Sequence, residues 1–168
     1  MDRVLKRSAR ILPEMCFAAL FGLTLPPHTT PGSTQELRAA LMDDRPAKLE
    51  TFFRSYQCPQ PYYIDHYLSA ADNYALDYRF LPAVSVREST CGQHNRLNNR
   101  WGWDAGRSRF RSVRSGIYFV ASQLAESEYY KGKTVDEKLY MYNPDPQYVQ
   151  EVKTLMRQID GARSIDGE

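Results

Sequence analysis

Tyr74-Ala-Leu-Asp-Tyr-Arg-Phe-Leu-Pro-Ala-Val-Ser-Val-Arg-Glu88-Ser-Thr-Cys-Gly92 is the stretch on which the fold turns. Asp77 is a favoured N-cap, because its short carboxylate accepts from the unpaired N–H groups of a first helical turn. Gly92 supplies a stop. Between them Leu81, Val84 and Glu88 are spaced three and four apart, one face of a helix running to about Thr90. Pro82 falls inside this span: it costs one early backbone bond, or else the regular helix begins there. A carboxylate on an apolar stripe is partly desolvated, which favours its protonated form. The partial negative charge of the helix C-terminus acts in the same direction. Glu88 is therefore a candidate general acid. The plainer reading is a Glu at the edge of the stripe, paired with a base such as Arg96.

Helical patterns continue on both sides. Helices are expected over 34–44 and over 46–56, with Pro46 tolerated in the first turn. Pro59 and Pro61 open the next, whose Tyr63, Tyr67, Ala70, Ala71 and Tyr74 share one face. Residues 92–109 contain Gly92, Gly102, Gly106, Asn95, Asn98 and Asn99, which predicts an irregular loop or a short hairpin. A 3.6-residue period then runs through Phe110, Val113, Ile117, Val120, Ala121 and Leu124, predicting a helix over 110–129. Thr134 followed by Glu137 is a capping-box pattern that starts a short helix to about Tyr142. Asn143-Pro144-Asp145-Pro146 reads as a turn and 146–159 as a last helix. The fold class expected is mainly all-α.

The 168 residues are enough for one domain. Arg3, Lys6, Arg7 and Arg10 precede a short apolar run, so 1–27 reads as a signal peptide, with a packed amphipathic helix as the alternative. Residues 28–45 read as linker and N-terminal extension, 46–160 as the functional domain, and 161–168 as a frayed tail. No stable membrane span is expected once the leader is gone. The leader holds four of the 22 basic and two of the 20 acidic residues, so the rest balances at 18 of each. That argues against whole-domain attraction to nucleic acid. Arg96, Arg100, Arg107, Arg109, Arg111 and Arg114 do crowd one stretch, as a cleft rim or, more plainly, a solvated surface. Cys16 would leave with the leader. Cys58 and Cys91 remain, an even pair suited to a disulfide in an exported chain, two free thiols being the other reading. A closed loop of that length is stabilised by roughly 3–4 kcal/mol. The cysteines and histidines have no metal-ligand spacing, and no metal or other cofactor is expected.

The segment from Tyr74 to Gly92 resembles the catalytic-helix signature of the lysozyme-like superfamily, in which a helix approached through Leu-Asp ends in Glu-Ser. Asn98-Asn-Arg-Trp-Gly-Trp103 looks like the Asn-Asn-x-Phe-Gly-Trp motif of its bacterial N-acetylglucosaminidase (autolysin) branch, with Trp101 replacing Phe. Tyr142-Asn143 resembles the Tyr-Asn motif of the soluble lytic transglycosylases. The three motifs stand in the same order as in that superfamily, within residues 60–158.

The resemblance implies a lysozyme-like fold whose irregular loop or hairpin lines a glycan cleft. It implies an exported glycosidase, in the periplasm, cell wall or medium, cleaving β-1,4 bonds between amino sugars of peptidoglycan as a monomer. Glu88 would protonate the glycosidic oxygen, and Tyr142 would act with it as a catalytic residue. Ser89 would orient the Glu88 carboxyl, while Asn99, Trp101, Trp103 and Asn143 would contact substrate. A second carboxylate, which many glycosidases need, is not evident. Asp104, Asp136 and Glu137 are the candidates, unless the sugar's own amide oxygen attacks or a 1,6-anhydro product forms, as in a lytic transglycosylase. A non-catalytic wall-binding or assembly module with the same fold is the competing reading.

Overall fold

The computed structural model describes residues 42–94 and 97–162. Among them lie six helices and no strand: α1 (Arg45–Ser55), α2 (Ile64–Asn73), α3 (Phe80–Ser89), α4 (Val113–Glu126), α5 (Val135–Tyr142) and α6 (Pro146–Gly161). The stretch over 97–109 is built of turns, so among the described residues the loop is irregular and not a hairpin. The expected leader over 1–27, most of the extension over 28–45, and the tail from 163 lie outside the described residues. So does the helix expected over 34–44, except for 42–44, which are not helical. None of the described helices is long and apolar enough to cross a membrane.

α3 is the axis of the molecule. Residues 80–86 are buried one after another, and Ser89 is buried as well. A helix apolar around its whole circumference has neighbours on every side. α6 packs directly against α3, α1 packs on α2 and α6, and α2 packs on α4. The expected stripe of Leu81 and Val84 is thus one side of a fully buried cylinder. Arg87 and Glu88 are where it emerges, and both are exposed. Glu88 therefore stands clear of the stripe, not partly desolvated within it.

The start of α3 lies two residues later than Asp77 as N-cap would put it, with Arg79 at the N-cap position. Asp77 is not its cap. Instead, Asp77 Oδ1 accepts from the Arg79 backbone N–H at 3.0 Å, and the Asp77 carbonyl accepts from the Phe80 N–H at 3.0 Å. This turn sets the direction in which α3 leaves. Beginning at Phe80 places Pro82 in the first turn, where a backbone N–H has no intrahelical partner to lose.

Caps also decide where the later helices begin. Ser112 and Ser115 form a reciprocal capping box, so α4 starts at Val113 and leaves the buried Phe110 outside the helix. The Thr134–Glu137 box opens α5 as expected, with the Thr134 N–H donating to Glu137 Oε2 at 2.7 Å. Asp145 caps α6 by accepting from the Gln147 N–H at 2.9 Å. Cys58, after α1, and Cys91, after α3, form the expected disulfide, with Cα atoms 5.4 Å apart.

Candidate active site

The end of α3 is held in an unusual backbone. Thr90, Cys91 and Gly92 are consecutively left-handed, with φ of 49°, 57° and 93°. That conformation is unfavourable for a β-branched Thr, so the surroundings must impose it. Several contacts do so. The Cys91 N–H reaches the Ser85 carbonyl at 2.9 Å, and the disulfide ties Cys91 to Cys58. Ser89 Oγ donates to the Arg100 carbonyl at 2.7 Å and accepts from the Gly92 N–H at 2.8 Å. Ser89 is thus committed to the chain around it. Its hydrogen bonds dock the loop onto the end of α3, and none of them goes to the Glu88 carboxyl it was expected to orient.

The loop is closed by the Phe110 N–H on the Leu97 carbonyl at 3.0 Å and by Asn98 Nδ2 on the Phe110 carbonyl at 3.0 Å. Asn99, expected to contact substrate, is buried and braces the loop from within. Its Nδ2 donates to the carbonyls of Trp103 (2.9 Å) and Ser108 (3.1 Å), and its Oδ1 accepts from the Trp103 N–H at 2.9 Å. Trp101 is 0% exposed and is not a sugar platform. Its Nε1 donates to the Leu81 carbonyl at 3.2 Å, and its ring lies edge-on to Tyr67 and Phe110. A Cβ at Gly116 would fall 2.6 Å from this ring, so α4 approaches it closely only because that residue is glycine. The turn at Gly102 sends the two indoles opposite ways, Trp101 into the core and Trp103 outward. Trp103 is half-buried and packs on Tyr142, Tyr130 and Phe119 with ring centroids 5.8–6.1 Å apart.

Gly102 is also where the loop meets Glu88. Its φ is 61°, and a Cβ there would lie 2.8 Å from Glu88 Oε2. Tyr142, at the end of α5, donates its hydroxyl to the Trp101 carbonyl and stacks on Tyr148 of α6, with centroids 6.3 Å apart and planes 3° from parallel. Burial pushes the Tyr142 phenol well above its usual range, and the Glu88 charge adds to the shift. The same two causes raise the Tyr148 phenol. Both tyrosines are thus proton-retaining donors beside one carboxylate. Asn143 Oδ1 accepts from the Asp145 N–H at 3.0 Å, within its own turn.

A groove of about 600 Å³ runs along this wall, lined by Gly102, Trp103, Asp104, Ser127, Tyr130 and Tyr142 among others. Glu88 is not in its lining; it adjoins the groove through Gly102. Another hollow, of about 570 Å³, is lined by Arg87 and Thr90 at the end of α3 and by Gln147, Gln150 and Glu151 of α6. The first carries the chemistry better, because it includes the glycine that Glu88 touches and the tyrosine that feels its charge.

The candidate second carboxylates are engaged elsewhere: Asp104 with Arg107 at 2.5 Å, Asp136 with Lys153 at 2.6 Å, and Glu137 with the Thr134 cap. The arginine stretch does not act as one rim. Arg100 is buried with its guanidinium over the Tyr63 ring, Arg107 holds Asp104, and Arg109, Arg111 and Arg114 are exposed. Arg96 lies outside the described residues.

No protein-family model, curated protein or solved structure matches the chain. Two residues of the site escaped the reading of the sequence. Gly102 entered that reading as one of the loop's glycines, whereas it gives clearance to Glu88. Tyr148 falls in the core period of α6 with Val152, Leu155, Met156 and Ile159, and nothing in that spacing shows what its hydroxyl faces.

Proposed function

We propose that the protein cleaves the glycan strands of peptidoglycan on a lysozyme-like fold, with Glu88 protonating the glycosidic oxygen. The observation that carries this reading is the placement of Glu88. It emerges at the end of a helix that is otherwise buried, its carboxylate lies against Gly102, and Gly102 borders a groove walled by Trp103, Tyr130 and Tyr142. A general acid must be held in place yet reach the leaving oxygen, and a side chain exposed on a rigid stem meets both needs. The partly exposed rings of Trp103 and Tyr142 suit the apolar C–H faces of amino sugars, and the backbone and hydroxyl groups along the groove suit their polar edges.

The engagement of Asp104, Asp136 and Glu137 favours one form of the reaction. The substrate supplies its own nucleophile, either the 2-acetamido oxygen or the 6-hydroxyl that closes a 1,6-anhydro ring. In both, the nucleophile bonds to the anomeric carbon as the glycosidic bond breaks and Glu88 gives its proton to the departing oxygen; the Glu88 carboxylate then takes one back, from the 6-hydroxyl or from the water that opens the acetamido ring. Tyr142 then serves the site by fastening the Trp101 carbonyl, and with it the wall, to α5.

The test is Glu88→Gln, assayed by clearing of a peptidoglycan suspension and by mass spectrometry of the released fragments. Turnover should fall about 10²–10⁴-fold. The melting temperature should stay put, because the exposed Glu88 forms no ion pair among the described residues. Retained turnover in the variant would overturn the reading, as would a wild-type protein that binds walls and releases nothing. The latter outcome describes the binding module.

A further inference from the structure

Lys138 of α5 is the one lysine buried among the described residues. The lysines that form ion pairs there are Lys48, with Asp44, and Lys153, with Asp136. Lys138 has no such partner, although a buried ammonium is costly unless its hydrogens are bonded. Two backbone carbonyls take the place of a carboxylate. Nζ donates to the Leu124 carbonyl at 2.5 Å and to the Tyr130 carbonyl at 2.8 Å. Leu124 lies in the last turn of α4, where carbonyls lack a helical partner and the helix dipole favours a cation. Tyr130 lies in the connection between α4 and α5. There the Ser127 carbonyl accepts from the Tyr130 and Lys131 N–H groups at 3.0 and 2.8 Å, and the Tyr130 carbonyl accepts from the Lys133 N–H at 3.2 Å. This connection gives Ser127, Tyr129 and Tyr130 to the groove. Tyr129 is 56% exposed and stands edge-on to Tyr130, whose ring meets Trp103 of the loop at 6.1 Å. α5 itself packs on α6, so Lys138 reaches away from that packing to hold the connection.

We propose that Lys138 is a positioning residue for the second wall of the groove. Its ammonium gathers the end of α4 and the Tyr129–Tyr130 corner, and so sets how far that corner stands from Trp103. The inference rests on the reading of the groove as the glycan site. Lys138 is buried and bonded to backbone, so it acts on substrate only through the corner it holds. That corner supplies no group to the proton transfer from Glu88. An interaction that holds substrate and transition state alike shows in KM and leaves kcat alone. Lys138 therefore governs how well the groove holds a strand, not how fast a bound strand is cut. No bond is made or broken at Lys138.

The experiment is Lys138→Met in the full chain, which fills the space and removes the donors. Two controls accompany it: Lys131→Met, at an exposed lysine of the same connection, and Leu49→Ala, at a fully buried position on α1. On soluble glycan strands KM should rise about tenfold in Lys138→Met, equivalent to about 1.4 kcal/mol, with kcat within about twofold of wild type. Lys131→Met should match wild type. Leu49→Ala should lower the melting temperature without raising KM; an equal rise in KM there would make Lys138 a structural residue only and overturn the inference. The second readout does not depend on activity. In amide hydrogen exchange followed by NMR, Tyr130, Lys131 and Lys133 should lose protection in Lys138→Met and keep it in Lys131→Met. Retained protection in Lys138→Met overturns the tie, and lost protection with a wild-type KM overturns the role in binding. Should Lys138→Met not fold, the wild-type chain labelled with ¹⁵N-lysine decides the tie. One ammonium resonance should be sheltered from exchange with solvent, and its absence overturns the inference. If the wild-type protein neither cleaves nor binds glycan, the proposed function fails, and the exchange data still decide whether Lys138 holds the wall.

Discussion

Replacing Gly102 with Ala separates the chemistry of the site from its stability. The added methyl would stand 2.8 Å from Glu88 Oε2, where ordinary contacts begin at 3.4 Å, so the pair must separate by at least 0.6 Å. Glu88 is the exposed end of a flexible side chain, whereas Gly102 is fixed by the Trp101 plug and the Asn99 brace. The carboxylate moves and the loop stays. Misplacing a reacting group by about 1 Å can cost about 10²-fold, so a tenth to a hundredth of wild-type turnover is expected. Stability also falls, because an L-residue in the left-handed region costs about 1–2 kcal/mol. Gly106 isolates that term: its φ is 77°, and a Cβ there meets nothing within 4 Å. Gly106→Ala should therefore lower the melting temperature by a similar few degrees while leaving turnover near wild type. Thermal melts and kcat on soluble glycan strands, measured on both variants, give the comparison. Full turnover in Gly102→Ala, or equal losses in the two variants, would refute the reasoning.

The two indoles should behave as opposites. Trp101→Ala removes a fully buried ring and should cost about 3–5 kcal/mol, read by denaturant unfolding. Trp103→Ala, which removes a half-buried ring, should cost less stability than Trp101→Ala but weaken binding of amino-sugar oligomers in a calorimetric titration; the reverse pattern would return Trp101 to the groove. Alkaline pH should destabilise the fold. The Tyr67 and Tyr148 phenols, each 2% exposed, are raised above 10.0 chiefly by burial. The fold thus keeps protons that the unfolded chain releases. The stability is fully present below pH 10 and is lost as pH rises beyond it, by about 1.4 kcal/mol per pH unit for each such phenol. Unfolding free energies that stay flat across that range would contradict the burial of these hydroxyls.

Most helices were legible in the sequence because their signals are local. The Thr134–Glu137 box and Asp145-Pro146 mark where α5 and α6 begin, and the period through Ile117, Val120 and Leu124 marks the body of α4. What failed was what depends on neighbours. α3 has no polar face to reveal its orientation, since it is wrapped on all sides, so three apparent face-mates said nothing about where Glu88 points. Ser89 was assigned to the Glu88 carboxyl and Asn99 to the ligand, because a short polar side chain near a site can serve either that site or the backbone. Here the backbone claimed them. Trp101 and Trp103 are adjacent in pattern, and only the left-handed turn at Gly102 decides which faces the core.

The bracing of the loop divides it into two parts of unequal freedom. Residues 97–103 are pinned by Asn98, Asn99, the Trp101 ring and the Tyr142 hydroxyl, whereas 104–107 are exposed and Gly106 has open space around it. The outer segment can be lengthened or exchanged while the inner one keeps its place beside Glu88. For protein engineering it is a grafting point: the length and chemistry of the groove's lip are separable from the wall that adjoins Glu88, and libraries confined to four positions would vary the lip without rebuilding the fold beneath it.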